Sequence, residues 1–147
     1  MKKLIPYLLI LVLLGCQQDI DPRGISSFEY YELWGFVGVT ATLKINSNSQ
    51  QLSYDYPSFQ SKSGCESVLT EGEWQDLIDN FDYAEFKKLP RKVELDCCDQ
   101  GFRGLKINIA GKIQTAEWQS FGTGSTKYDG FIEKLNQRMT KQRQTCR

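Results

Sequence analysis

The chain contains no histidine. That removes the side chain that most often moves a proton near neutral pH, and with it any Ser-His or Cys-His pair. No G-x-S-x-G elbow and no P-loop occur. The run Gly122–Lys127, GTGSTK, ends like a phosphate loop but fails the Walker pattern, and reads as a strand-to-helix loop. Net charge is also lacking, with 18 Lys and Arg against 18 Asp and Glu. A nucleic-acid partner wants a strong basic field, so none is expected. The pairs Asp76–Asp79 and Asp96–Asp99 read as solvated faces rather than acid/base dyads. With no catalytic constellation in view, the expectation is no enzyme, no cofactor and no metal.

What is present starts at the N-terminus with MKKLIPYLLILVLLGC. Lys2 and Lys3 are followed by an apolar run that ends in Leu13-Leu14-Gly15-Cys16. As a helix Leu4–Gly15 would reach about 18 Å, against roughly 30 Å of bilayer hydrocarbon. A basic start, a short apolar stretch and a small residue before the cut are the marks of an export signal.

The closing Leu-Leu-Gly-Cys resembles the lipobox of bacterial lipoproteins. The resemblance implies cleavage between Gly15 and Cys16, a diacylglyceryl group on the Cys16 thiol and acylation of its new amino group. Two or more acyl chains give a stable anchor where one is marginal. The expected organisation is a signal peptide at 1–15, a lipidated tether at 16–27 and one domain at 28–147. Removal of residues 1–15 takes Lys2 and Lys3, leaving 16 Lys and Arg against 18 Asp and Glu, a formal charge of −2. The tether, with Pro22 and Gly24, shows no apolar periodicity. Gln17 stands where some Gram-negative lipoproteins carry an inner-membrane retention Asp. The implied location is therefore the cell envelope, at the outer membrane where one exists. The acidic Asp19 and Asp21 leave both the periplasmic and the surface face open.

Within the domain, aromatic-rich Phe28–Phe36 has strand character. In Val37–Ile45, Val39, Ala41, Leu43 and Ile45 alternate with polar residues, which makes a half-buried strand. Asn46–Ser49 is turn chemistry, and Leu52, Tyr54 and Tyr56 alternate again. Ser58–Ser67 reads as a polar loop. Thr70 and Glu73 form a capping box ahead of a helix that places Trp74, Leu77, Ile78 and Phe81 on one face, with a further turn at Ala84–Lys88 before Pro90. Phe102–Ile109 and Lys112–Gln119 make a hairpin around Ala110-Gly111. A last helix, capped by Thr126 or Asp129, buries Phe131, Ile132, Leu135 and Met139, and its basic tail Lys141–Arg147 frays. The order is β-β-β-α-β-β-α: an α+β domain with an antiparallel sheet of about five strands and two helices on one face.

Setting Cys16 aside, Cys65, Cys97, Cys98 and Cys146 remain. In an oxidising compartment an even remainder points to disulfides, with three pairings open. Neighbouring Cα atoms lie about 3.8 Å apart, short for a bridge between Cys97 and Cys98. One of that pair is expected to reach Cys65 and the other Cys146.

The aromatic strand has two readings. In one, Tyr30, Trp34 and Phe36 pack as core. In the other, Trp34 and Phe36 form an exposed surface for a partner, because Tyr and Trp dominate binding hot spots. Trp34-Gly35-Phe36-Val37-Gly38, the capped helix with Trp74, Leu77 and Ile78, then Cys98-Asp99, Leu105–Ile109, Gly111-Lys112 and a final helix resemble the layout of emfourin-type protease inhibitors. The likeness covers about residues 28–142 and extends to small lipoprotein domains with a Gly-rich first strand. The family's Gly-Gly-Phe start is Trp34-Gly35-Phe36 here, and no inhibitory residue is carried over. What it implies is a protein-binding module held to the membrane through Cys16, its partner an envelope protein or a protease. The alternatives are a small-ligand-binding or enzymatic envelope domain, and a structural envelope lipoprotein.

Overall fold

The computed structural model describes residues 24–34, 38–56, 61–92, 101–119 and 126–146. Among the described residues six strands form one antiparallel sheet, and three helices accompany it. The strands are β1 (Ile25–Trp34), β2 (Val39–Asn46), β3 (Ser49–Tyr56), β4 (Ser61–Val68), β5 (Phe102–Ile109) and β6 (Lys112–Gln119). The helices are α1 (Glu71–Asn80), α2 (Tyr83–Phe86) and α3 (Thr126–Thr145). The sheet order is β4-β3-β2-β1-β5-β6, so the first strand lies inside the sheet.

Period-two alternation sets the register. Tyr30 faces Leu43 on one side and Leu105 on the other, and Phe28 faces Ile45 and Ile107. These residues and Leu52, Ala116 and Trp118 form one apolar face. The helices cover it with Leu77, Ile78, Phe81, Phe86, Phe131, Ile132, Leu135 and Met139. Phe28 sits at the centre, 5.3–5.6 Å from the rings of Trp74, Phe81 and Phe131. The opposite face carries Glu29, Thr40, Thr42, Lys44, Lys106 and Thr115, all at least partly exposed.

The capping box forms as the sequence indicates. The Glu73 amide donates to Thr70 Oγ1 at 3.3 Å, and the Thr70 amide donates to Glu73 Oε2 at 3.0 Å. The Thr70 amide and the Thr70 hydroxyl, which both donate to Oε2, hold the Glu73 carboxyl below its usual range. The β5–β6 turn places Ala110 and Gly111 at φ 50° and 78°, a hairpin geometry in which both central residues are left-handed.

Four features differ from the sequence reading. Most of Ser58–Ser67, read as loop, lies in the edge strand β4, which gives six strands among the described residues rather than five. It has almost no apolar pattern because backbone pairing with β3 holds it. Ala84–Lys88 contributes a separate short helix, α2, which makes three helices rather than two. β1 takes in Ile25–Ser27, three residues read as tether. Finally, the last helix does not fray at Lys141. It runs to Thr145, with Gln142 only 2% exposed, because its end is fastened to the sheet.

The fastener is a disulfide between Cys65 on β4 and Cys146, with Cα atoms 5.8 Å apart. This corrects the expected pairing of each with one member of Cys97-Cys98. Once β4 is a strand at the sheet edge, the end of α3 lies over it and the two sulfurs meet directly. Cys97 and Cys98 lie outside the described residues.

Candidate protein-binding site

The strand period sends Tyr30, Glu32 and Trp34 of β1 to the helix-covered face. Along this row Tyr30 is fully buried, Glu32 is 5% exposed and Trp34 is 42% exposed. The row thus runs from core to rim, with a carboxylate in its middle. An ionised carboxylate at such a place needs partners, and three are supplied. The Tyr30 hydroxyl donates to Oε1 at 3.1 Å. Arg103, directly opposite on β5, brings Nε to Oε1 at 3.0 Å. Arg143 of α3 brings Nη2 to Oε2 at 3.1 Å. Burial, then the Glu32 charge, pushes the Tyr30 hydroxyl far above its ordinary value, so it stays a donor.

Arg143 is fixed on several sides. Its guanidinium carbon lies 5.3 Å from the Trp34 ring centre and 5.9 Å from that of Tyr54. Nη2 also lies 3.0 Å from Met139 Sδ. Tyr56 stacks on Tyr54 with centroids 6.0 Å apart, which extends the aromatic rim along β3. The turn that carries Arg143 is anchored next door. Gln142 Oε1 accepts from Gln50 Nε2 at 3.0 Å and from Ser67 Oγ at 2.9 Å, and Cys146 is in the disulfide.

The cluster holds two cations against one anion and adjoins exposed aromatic surface. Its Tyr30 hydroxyl donates to the Glu32 carboxylate and stays protonated. Arginine and tryptophan are residue types that interfaces often bury at their centres.

A second concave region lies between α1 and α3, about 330 Å³ in volume, lined by Glu73, Asp76, Lys134, Gln137, Arg138 and Lys141. Lys134 pairs with Asp76 at 2.9 Å and Arg138 with Glu73 at 3.5 Å. All but Arg138 are at least one-third exposed and the pairs neutralise one another, so they tie the helices together weakly. Asp79 accepts from Gln75 Nε2 and Asp76 is engaged by Lys134, so the two aspartates form no dyad. Among the described residues no group of three His, Cys, Asp or Glu could hold a metal ion.

Of the residues singled out in the sequence, Trp34 is exposed at the rim, and Cys65 and Cys146 are joined 81 residues apart. Gly15, Cys16, Phe36, Cys97, Cys98, Asp96 and Asp99 lie outside the described residues. Glu32, Tyr54, Arg103 and Arg143 did not stand out in the sequence. One signal was readable: Glu32 is a lone charge at a core-facing parity between Tyr30 and Trp34. Among the described residues no helix is long and apolar enough to cross a membrane. No known protein-family model matches the chain, and no curated protein matches it in sequence.

Proposed function

We propose that this chain is a lipid-anchored protein of the cell envelope that acts as a protein-binding module, with restraint of a protease as the activity its layout suggests. The observation that carries the reading is Trp34, a large aromatic left 42% exposed against a fixed guanidinium when the chain's other tryptophans join the core. The anchor side comes from the lipobox-like Leu13–Cys16. The geometry is compatible with both. The Ala110 amide donates to the Gly24 carbonyl at 3.1 Å, so the chain joins the domain beside the β5–β6 turn. Trp34 ends the same strand, ten residues long, about 30 Å away. An anchor upstream of Gly24 would therefore attach at the end of β1 opposite Trp34.

Two measurements in the native host test this. Cys16→Ser should abolish incorporation of a clickable fatty acid and shift the chain out of the membrane fraction. Photo-crosslinking benzoylphenylalanine in place of Trp34 should trap one protein adduct of defined mass, and the same probe in place of the exposed Ile113 should not. Unchanged membrane partitioning of Cys16→Ser defeats the anchor. Identical adduct patterns from the two positions, or none from either, defeat the module.

A further inference from the structure

Resting on the protein-binding reading, we infer that Arg143 and Trp34 together form a docking point for a side-chain carboxylate, an Asp or Glu of the partner. The Glu32 oxygens are both in use, Oε1 by Tyr30 and Arg103 and Oε2 by Arg143 Nη2. Glu32 therefore acts as an orienter. It grips one edge of the Arg143 guanidinium, while the Trp34 and Tyr54 rings fix the group's plane. The other terminal nitrogen, Nη1, has no acceptor among the described residues, and the side chain is 28% exposed. The indole N–H of Trp34 likewise donates to no described residue, and its ring lies against the same guanidinium.

Two N–H donors on adjoining groups, in a cluster with two cations to one anion, suit an oxygen pair on a planar anion. Charge decides which anion. The cluster of Arg103, Arg143 and Glu32 carries one net positive charge. A single carboxylate neutralises it, whereas a phosphate dianion would leave a buried excess of the opposite sign. The apolar flanks of Trp34, Tyr54 and Tyr56 fit a carboxylate presented by a peptide with apolar neighbours better than a free small acid. Little ordering remains to be done on binding, because the disulfide and Gln142 already fix the turn that carries Arg143.

The test uses the purified full-length chain in detergent, with its disulfide intact. It is presented to an array of N-acetylated, C-amidated hexapeptides in which one central Glu or Asp sits among apolar residues. The arms replace that residue by Gln or Asn, by phosphoserine, or leave the C-terminus as a free acid with Gln inside. Binding should select Glu or Asp, weaken about tenfold on change to Gln or Asn, and fall as salt rises. Arg143→Lys, which keeps the charge and loses the fork, should abolish the preference, and Trp34→Phe should reduce it. Where Arg143→Lys does not fold by near-UV circular dichroism, Trp34→Phe decides. Preference for phosphoserine or for the free C-terminus overturns the inference, as does an acidic preference that survives both substitutions. If the Trp34 crosslink forms in cells and Arg143→Lys leaves it intact, the module stands and this docking point falls. Selective acidic binding without any cellular crosslink reverses that outcome.

Discussion

Gly104→Ala should unfold the protein more readily because of one ring. On the sheet face away from the helices, Tyr31 of β1 stands opposite Gly104 of β5, which stands opposite Glu117 of β6. The Tyr31 ring lies across the glycine, and its hydroxyl donates to Glu117 Oε1 at 2.7 Å. Lys106 Nζ sits 5.1 Å from the ring centre and Phe102 meets the ring edge-on at 6.2 Å. A Cβ on residue 104 would occupy the space of the Tyr31 ring end, its hydroxyl included. The backbone there is not left-handed, so the requirement is for room. Expelling the ring forfeits roughly 1.5–3 kcal/mol of burial and roughly 1.5–3 kcal/mol for the hydrogen bond to a carboxylate. The reduced freedom of the unfolded alanine chain returns about 0.4–1 kcal/mol. A net cost of about 4 kcal/mol follows, or about 16 °C in Tm for a domain of this size. Urea denaturation of a double-mutant cycle is the assay. In a Tyr31→Ala background the same glycine substitution should fall within about 0.5 kcal/mol of neutral, or stabilise. The tyrosine also reports directly. Burial, then the bond to Glu117, holds its hydroxyl well above the ordinary range, and in Gly104→Ala it should ionise at lower pH. An equal cost in both backgrounds would refute the argument.

Two further outcomes are expected. Cys146→Ser opens a loop of 81 residues, for which the chain-entropy relation gives about 4.5 kcal/mol. The urea midpoint should fall and the amides of residues 141–145 should exchange faster, whereas an unchanged midpoint would show that the bridge only decorates a turn held by Gln142. Acid should also weaken the fold through Glu29, which sits between Lys44 and Lys106 on the neighbouring strands. Burial pushes its carboxyl up, but the hydrogen bond and charge of Lys106, with Lys44, outweigh that and hold it below 4.5. The folded chain then binds fewer protons than the unfolded one. The contribution is present above about pH 4.5 and is lost as pH falls through the lowered native value. Glu29→Gln should flatten the acid limb of a urea-midpoint profile, and an unaltered limb would place the sensitivity elsewhere.

Residues that declare their surroundings locally were legible. The alternation through Val39–Ile45, the Ala110-Gly111 turn and the Thr70–Glu73 box each state a conformation within a few positions, and each formed. The strand Ser61–Val68 did not declare itself, because an edge strand exposed on most of its length needs no apolar period. The disulfide partners were illegible for a related reason: what brings Cys146 to Cys65 is the position of β4 beneath the end of α3, a property of topology. The site divides in the same way. Trp34 could be picked from its aromatic strand. Arg143 could not, since it meets Glu32 across 111 positions of chain.

The strand that comes first in the domain is an interior strand of the finished sheet. A chain threaded N-terminus first can build the β1–β4 meander early, but one flank of β1 then has no neighbour until residues 102–109 arrive. Tyr30 lacks its Leu105 neighbour for as long, and the covalent clasp waits for Cys146, 81 residues beyond Cys65. Long-range pairing of this kind is slow and closes late. The sheet around β1 is therefore finished only once the meander, the first two helices and the β5–β6 hairpin are all to hand.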